Sequence, residues 1–200
     1  MYMGDVKSKT FLDTNASSAT FVAAAARPTT TFTLAKTSFG TNTARKITAT
    51  TTGTGDNGKT ITIVGKDHNN EDATEVITLT GSAETSSGTT TAFLSITSAT
   101  VSAQPAANVS LGMTADVFGS IFQGRTRVRQ VNAESGGSIG SVLFRDGSLT
   151  GTALLTVRTG ATAGDINTVN IPQDGILYKD GAFVTFDETQ CNSATVYFDG

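Results

Sequence analysis

Few residues in this chain are equipped for chemistry. His68 is the only imidazole and Cys191 the only thiol in 200 residues. A nucleophile–base–carboxylate arrangement would have to use His68 as its base. That histidine lies in the polar run Asp67-His68-Asn69-Asn70-Glu71-Asp72, where an exposed turn histidine is the plainer reading. The same run offers several oxygens of the kind that hold Ca²⁺. It lacks the central Gly and the distant bidentate Glu of an EF-hand loop, so it reads as a solvated hairpin turn. Cys191 has no second histidine to lower its pKa, which favours a buried or inert thiol over a nucleophile. The Gly-rich stretches 53–58 and 134–140 lack a following Lys-Ser/Thr and a following helix. They are turns, not phosphate cradles. Glycosidase chemistry needs two carboxylates facing across a cleft, whereas Asp and Glu here gather in turns. No catalytic residue, cofactor or metal is expected, and the chain reads as a non-enzyme.

One charged pattern stands out. In Gly124-Arg125-Thr126-Arg127-Val128-Arg129-Gln130 the basic residues alternate. On a strand, Arg125, Arg127 and Arg129 would project in a row from one face, with Thr126, Val128 and Gln130 on the other. Such a row suits docking onto partner carboxylates, because paired guanidinium–carboxylate bonds fix register. The alternative is a solvated strand face.

The elements that would carry these residues are short strands. In the first half, alternation of apolar residues with Thr predicts strands near 30–34, 46–51, 59–64, 75–80, 92–101 and 108–111. In the second half it predicts strands near 126–131, 141–145, 152–158, 167–171, 176–179, 182–186 and 194–198. Asp146-Gly147 and Asp180-Gly181, each flanked by alternating apolar residues, predict at least one tight hairpin. Residues 1–28 show little periodicity and end in Ala23 to Ala26 before Arg27-Pro28. A helix that short is marginal in water, so an arm ordered by contact is expected. Residues 113–123 carry Val117, Phe118, Ile121 and Phe122 at helix-like spacing interrupted by Gly119, and are read as a linker packing its Phe residues between domains. The expected architecture is all-β: an arm over 1–28, a first antiparallel β-sandwich or barrel-like domain over 29–112, the linker over 113–123, and a second such domain over 124–200, in tandem.

Composition agrees with this class. Thr is the commonest residue, charged residues make up only 16%, and the net charge is -3. A β-branched hydroxyl side chain suits the wet face of a strand. An acidic chain lacks the positive field that general nucleic-acid binding needs, so no nucleic-acid partner is expected. No run approaches the roughly 18 apolar residues of a membrane helix, and residues 1–21 lack the continuous apolar core of a signal peptide. A single cysteine rules out an intramolecular disulfide framework.

Two runs carry a resemblance. Residues 45–112 set a T-x-T-x-x-G strand (60–65), a Gly/Asp turn (65–70), a T-E-x-(I/V)-T strand (74–78), a late S-I-T strand (95–102) and a closing Asn108-Val109-Ser110-Leu111-Gly112. This run resembles a domain that recurs in structural proteins of tailed-bacteriophage virions. Residues 171–198 similarly look like the closing segment of small phage virion proteins. The resemblance implies an all-β accessory protein on the virion surface, a capsid decoration or cement protein bound to the major capsid protein as a homo-oligomer. It transfers no active site. A tail, adaptor or fibre protein with a host-surface or glycan-binding role is the alternative. Aromatic loop residues would serve that role, and only Phe39 qualifies.

Overall fold

The computed structural model describes residues 5–13, 15–80, 88–172 and 174–200. Strands dominate, and no α-helix occurs among the described residues. The all-β, antiparallel, sandwich-like class expected from the alternation is what the chain adopts. It divides into two compact units.

The first unit draws on three stretches, Met1–Asn15, Gly40–Thr43 and Asp116–Gly200. One of its sheets is built on β1 (Val6–Asp13), β3 (Gly40–Thr41), β9 (Thr126–Ser135), β12 (Ile166–Asn170), β13 (Ile176–Tyr178) and β15 (Cys191–Asp199). The order is β12-β9-β15-β1-β3, with β13 also on β9. The other sheet has β10 (Gly140–Asp146), β11 (Ala153–Thr159) and β14 (Ala182–Asp187), and residues 116–122 of the long β8 (Val109–Phe122). Between them Phe11, Val117, Val131, Phe144, Val184, Val196 and Phe198 form one apolar core. β9, β10 and β15 alternate inward apolar with outward polar residues, and that pattern pins their register, since a one-residue slip would turn their core side chains to water.

The second unit comprises Ala16–Phe39 and Ala44–Ala115. It contains β2 (Ala23–Ala26), β4 (Ala44–Thr51), β5 (Thr60–Asp67), β6 (Asp72–Thr78), β7 (Phe93–Val101) and residues 109–115 of β8. The order runs β8-β4-β7-β5-β6, with β2 on β8. Residues 30–38 lie along β7, where Phe32 N–H donates to Ala99 O (2.9 Å) and Ile96 N–H to Thr37 O (2.8 Å). Ala35 N–H in turn reaches Val22 O (2.8 Å). Phe32, Phe39, Ile47, Ile61, Ile63, Phe93 and Leu111 fill the interior.

Three expectations are corrected. The expected arm contributes two strands to the sheets: β1 pairs with β15 from Val6↔Asp199 to Leu12↔Ser193, and β2 pairs with β8. Phe11 and Val22 are fully buried, and burying those two side chains outweighs the weak local signal around them. The expected linker is the later part of β8. Val117 and Ile121 point inward with Gly119 between them, because a Cβ at Gly119 would collide with the Phe11 ring. The units are also not in tandem, since one of them takes its strands from both ends of the chain.

Neither Asp-Gly pair forms a two-residue hairpin. Asp146-Gly147 opens a longer loop between β10 and β11, and Asp180-Gly181 carries the chain from β13 in one sheet to β14 in the other. The two turns instead bind each other: Asp180 N–H donates to Asp146 Oδ1 (3.1 Å) and Gly147 N–H to Gly181 O (3.0 Å). Positive φ values of 80° and 115° at Gly147 and Gly181 explain the glycines.

Candidate docking surface

β9 places the arginines. Thr126 and Val128 are buried, Arg125 is exposed, and Arg127 and Arg129 are half-buried. The row therefore faces away from the core as its spacing predicts. Gln130 does not take the opposite face. The ladder shifts between Tyr197 and Phe198, pairing Tyr197 with Gln130 and Phe198 with Val128. This β-bulge leaves Arg129 as the extra residue and turns Gln130 outward, where its Nε2 donates to Asn132 Oδ1 (3.1 Å).

The three guanidinium groups are not equivalent. Arg129 donates through Nε to Asp199 Oδ2 (2.8 Å), with Nη2 2.6 Å from the same oxygen. The hydrogen bond to Asp199 holds Arg129 more firmly protonated than usual. Arg127 reaches the backbone oxygens of Asp174 (3.3 Å) and Gly175 (3.5 Å) through Nη1. Both contacts are long, and most of its donors remain for other acceptors. Arg125 pairs with no carboxylate among the described residues. Arg125, Thr126 and Arg127, with Leu177, Asp199 and Gly200, line a shallow cleft of about 270 Å³, in which the Asp199 carboxylate is already engaged by Arg129. An external carboxylate could enter there and accept two N–H bonds.

The remaining candidates lie in a turn and in the core. Asp67 Oδ1 accepts the N–H groups of Asn69 (2.8 Å) and Glu71 (2.9 Å), closing the expected hairpin turn between β5 and β6. His68 stands 4.0 Å from Asp67 Oδ2 and is half-buried, not exposed. Burial pulls its pKa below the ordinary imidazole value, against the opposing pull of the Asp67 and Glu71 charges. Cys191 is buried and donates to Ser193 O (3.2 Å), and burial pushes its thiol up to about 12. Among the described residues no group of three or more His, Cys, Asp or Glu is placed to hold a metal ion. Phe39, the one loop aromatic that qualified for a sugar site in the alternative reading, is fully buried.

Sequence reading missed two polar anchors. Asp56, in the turn Thr54–Asp56, is completely buried. It accepts from Lys59 Nζ (2.9 Å), Ala106 N (2.6 Å), Ala107 N (3.2 Å) and Thr51 Oγ1 (3.0 Å). Burial alone would raise its pKa, but these donors together hold it at about 2. Arg45, also fully buried, donates through Nη1 to Thr114 O (2.7 Å) and Ala115 O (2.6 Å). Ala106 lies 50 positions from Asp56 and Thr114 lies 69 positions from Arg45 in the chain, so no local motif announces these contacts.

Compared with protein-family models, curated proteins and solved structures, the chain matches none.

Proposed function

We propose that this chain is a structural protein of a tailed-phage particle, a decoration module that docks on the major capsid shell and stabilises it. The observation that carries the reading is the outward pair Arg125 and Arg127 on a chain of net charge -3. A cationic row on an acidic molecule repels like surfaces broadly while steering one edge toward carboxylates. The resemblance of residues 45–112 and 171–198 to phage virion proteins supplies the setting. Repetition over a shell would turn a modest single contact into a large summed stabilisation, because every copy binds the assembled state alone.

The test is the double substitution Arg125→Gln with Arg127→Gln. The fraction of protein bound to particles is measured across salt from about 50 to about 500 mM, a range over which the screening length shortens several-fold. Occupancy should fall for the variant at every salt level and lose most of its salt dependence. Unchanged occupancy would remove the row from the contact. Copy number per particle then separates a shell-wide decoration from the runner-up, a tail, adaptor or fibre component.

A further inference from the structure

The outer face of the β9–β15–β1 sheet has a composition that particle docking does not use. Cross-strand pairing aligns Thr10 with Thr195, Thr195 with Asn132, and Asn132 with Thr168. The next row aligns Tyr197 with Gln130 and Gln130 with Asn170. Their strand neighbours Phe11, Val131, Ala133, Ala194 and Val196 are buried, so these residues point outward. Neither row contains a charge. The hydroxyls and amides are partly preset, with Thr10 Oγ1 and Thr195 Oγ1 3.0 Å apart and Gln130 bonded to Asn132. Tyr197 is the one tyrosine among the described residues that is not buried. Among the described residues its ring has no aromatic partner and its hydroxyl no hydrogen bond, whereas the hydroxyl of Tyr178 is enclosed in the core.

We propose that this face binds an extended, uncharged polysaccharide, with Tyr197 as the stacking platform and Gln130, Asn132 and Thr195 as hydrogen-bonding partners. A pyranose with equatorial hydroxyls presents an apolar C–H face and a polar rim, which match an aromatic ring set among amides and hydroxyls. Strands about 4.8 Å apart repeat the polar groups at a spacing close to the rise per sugar of a β-linked chain. Such a chain can lie across the strands with one sugar on each. A protein partner would call for an apolar centre with large anchors, and nucleic acid for a row of cations; the two rows offer neither. The inference goes beyond docking to a shell and stands or falls separately from it.

The experiment is amide NMR titration of the full chain with a β-1,4-linked glucose hexasaccharide, and with its α-1,4-linked counterpart as a curved control. Shifts should concentrate at Gln130, Asn132, Thr195 and Tyr197, with the α-linked chain binding at least about tenfold more weakly. Tyr197→Ala should weaken binding by about tenfold or more, while Arg125→Gln leaves it unchanged. Gln130→Ala with Asn132→Ala is the second variant, should loss of the tyrosine disturb the strand. No shifts up to about 10 mM sugar overturns the proposal. So does binding that survives both Tyr197→Ala and the Gln130/Asn132 double variant.

Discussion

At the scale of single residues, the chain places its chemistry-capable groups where they hold structure. Asp56 is the clearest case, a carboxylate removed from water and repaid by four donors from three separate parts of the chain. Its depressed pKa makes it a stabilising group above its unfolded value near 3.8, and that contribution disappears as pH falls toward about 2. Asp56→Asn should destabilise the fold by about 1–3 kcal/mol in urea titrations at neutral pH, because buried donors lose a charged acceptor. The variant should also lose less stability than the parent between those two pH values; equal acid sensitivity would contradict the assignment. Cys191 makes the complementary case. With its thiol raised to about 12, the folded protein should resist maleimide at about pH 8 and react fully once unfolded. Labelling of the native state at the rate of a free thiol would show that the site is open.

Close approach between elements explains what single residues do not. Gly119 lies on β8 beneath the Phe11 ring of β1, and an added Cβ would also come within 3.1 Å of Val184 Cγ1. Gly119→Ala should therefore cost about 1–3 kcal/mol through overpacking, read as a lower urea midpoint, and a neutral result would mean that β1 does not pack there. The same contact shows why alternation alone misread residues 113–123. Val117, Phe118, Ile121 and Phe122 fit a helical spacing on paper, but both faces of β8 are buried over 117–121, which erases the period-two signal. Where one face met water, as in β5 and β9, the strands were legible from Ile61, Ile63 and Val128. The row Arg125, Arg127, Arg129 was legible for that reason too. The bulge that turns Gln130 outward was not, since it arises from pairing with Tyr197 on a distant strand. Asp146-Gly147 and Asp180-Gly181 predicted a tight hairpin that does not form, and their mutual hydrogen bonds depend on tertiary placement that no local pattern carries.

For the whole molecule, the interleaving of the chain has consequences for stability and for function. One unit takes a strand from the beginning of the sequence, so its core is complete only when Phe11 has returned to β15. Removing residues 1–13 should lower stability by at least about 3 kcal/mol, the scale of losing a buried Phe; a truncated chain as stable as the parent would show that Phe11 is not part of this core. Surfaces matter differently. Arg125→Gln with Arg127→Gln should leave the unfolding midpoint within about 0.5 kcal/mol of the parent, as substitutions on a solvated face do, while weakening particle attachment. The most direct test of docking is an electron cryomicroscopy reconstruction, at side-chain resolution, of particles carrying this chain. The account predicts carboxylates of the shell within hydrogen-bonding reach of Arg125 and Arg127 on β9. Density that leaves both guanidinium groups facing solvent, with the chain attached through another face or absent from the particle, would contradict it.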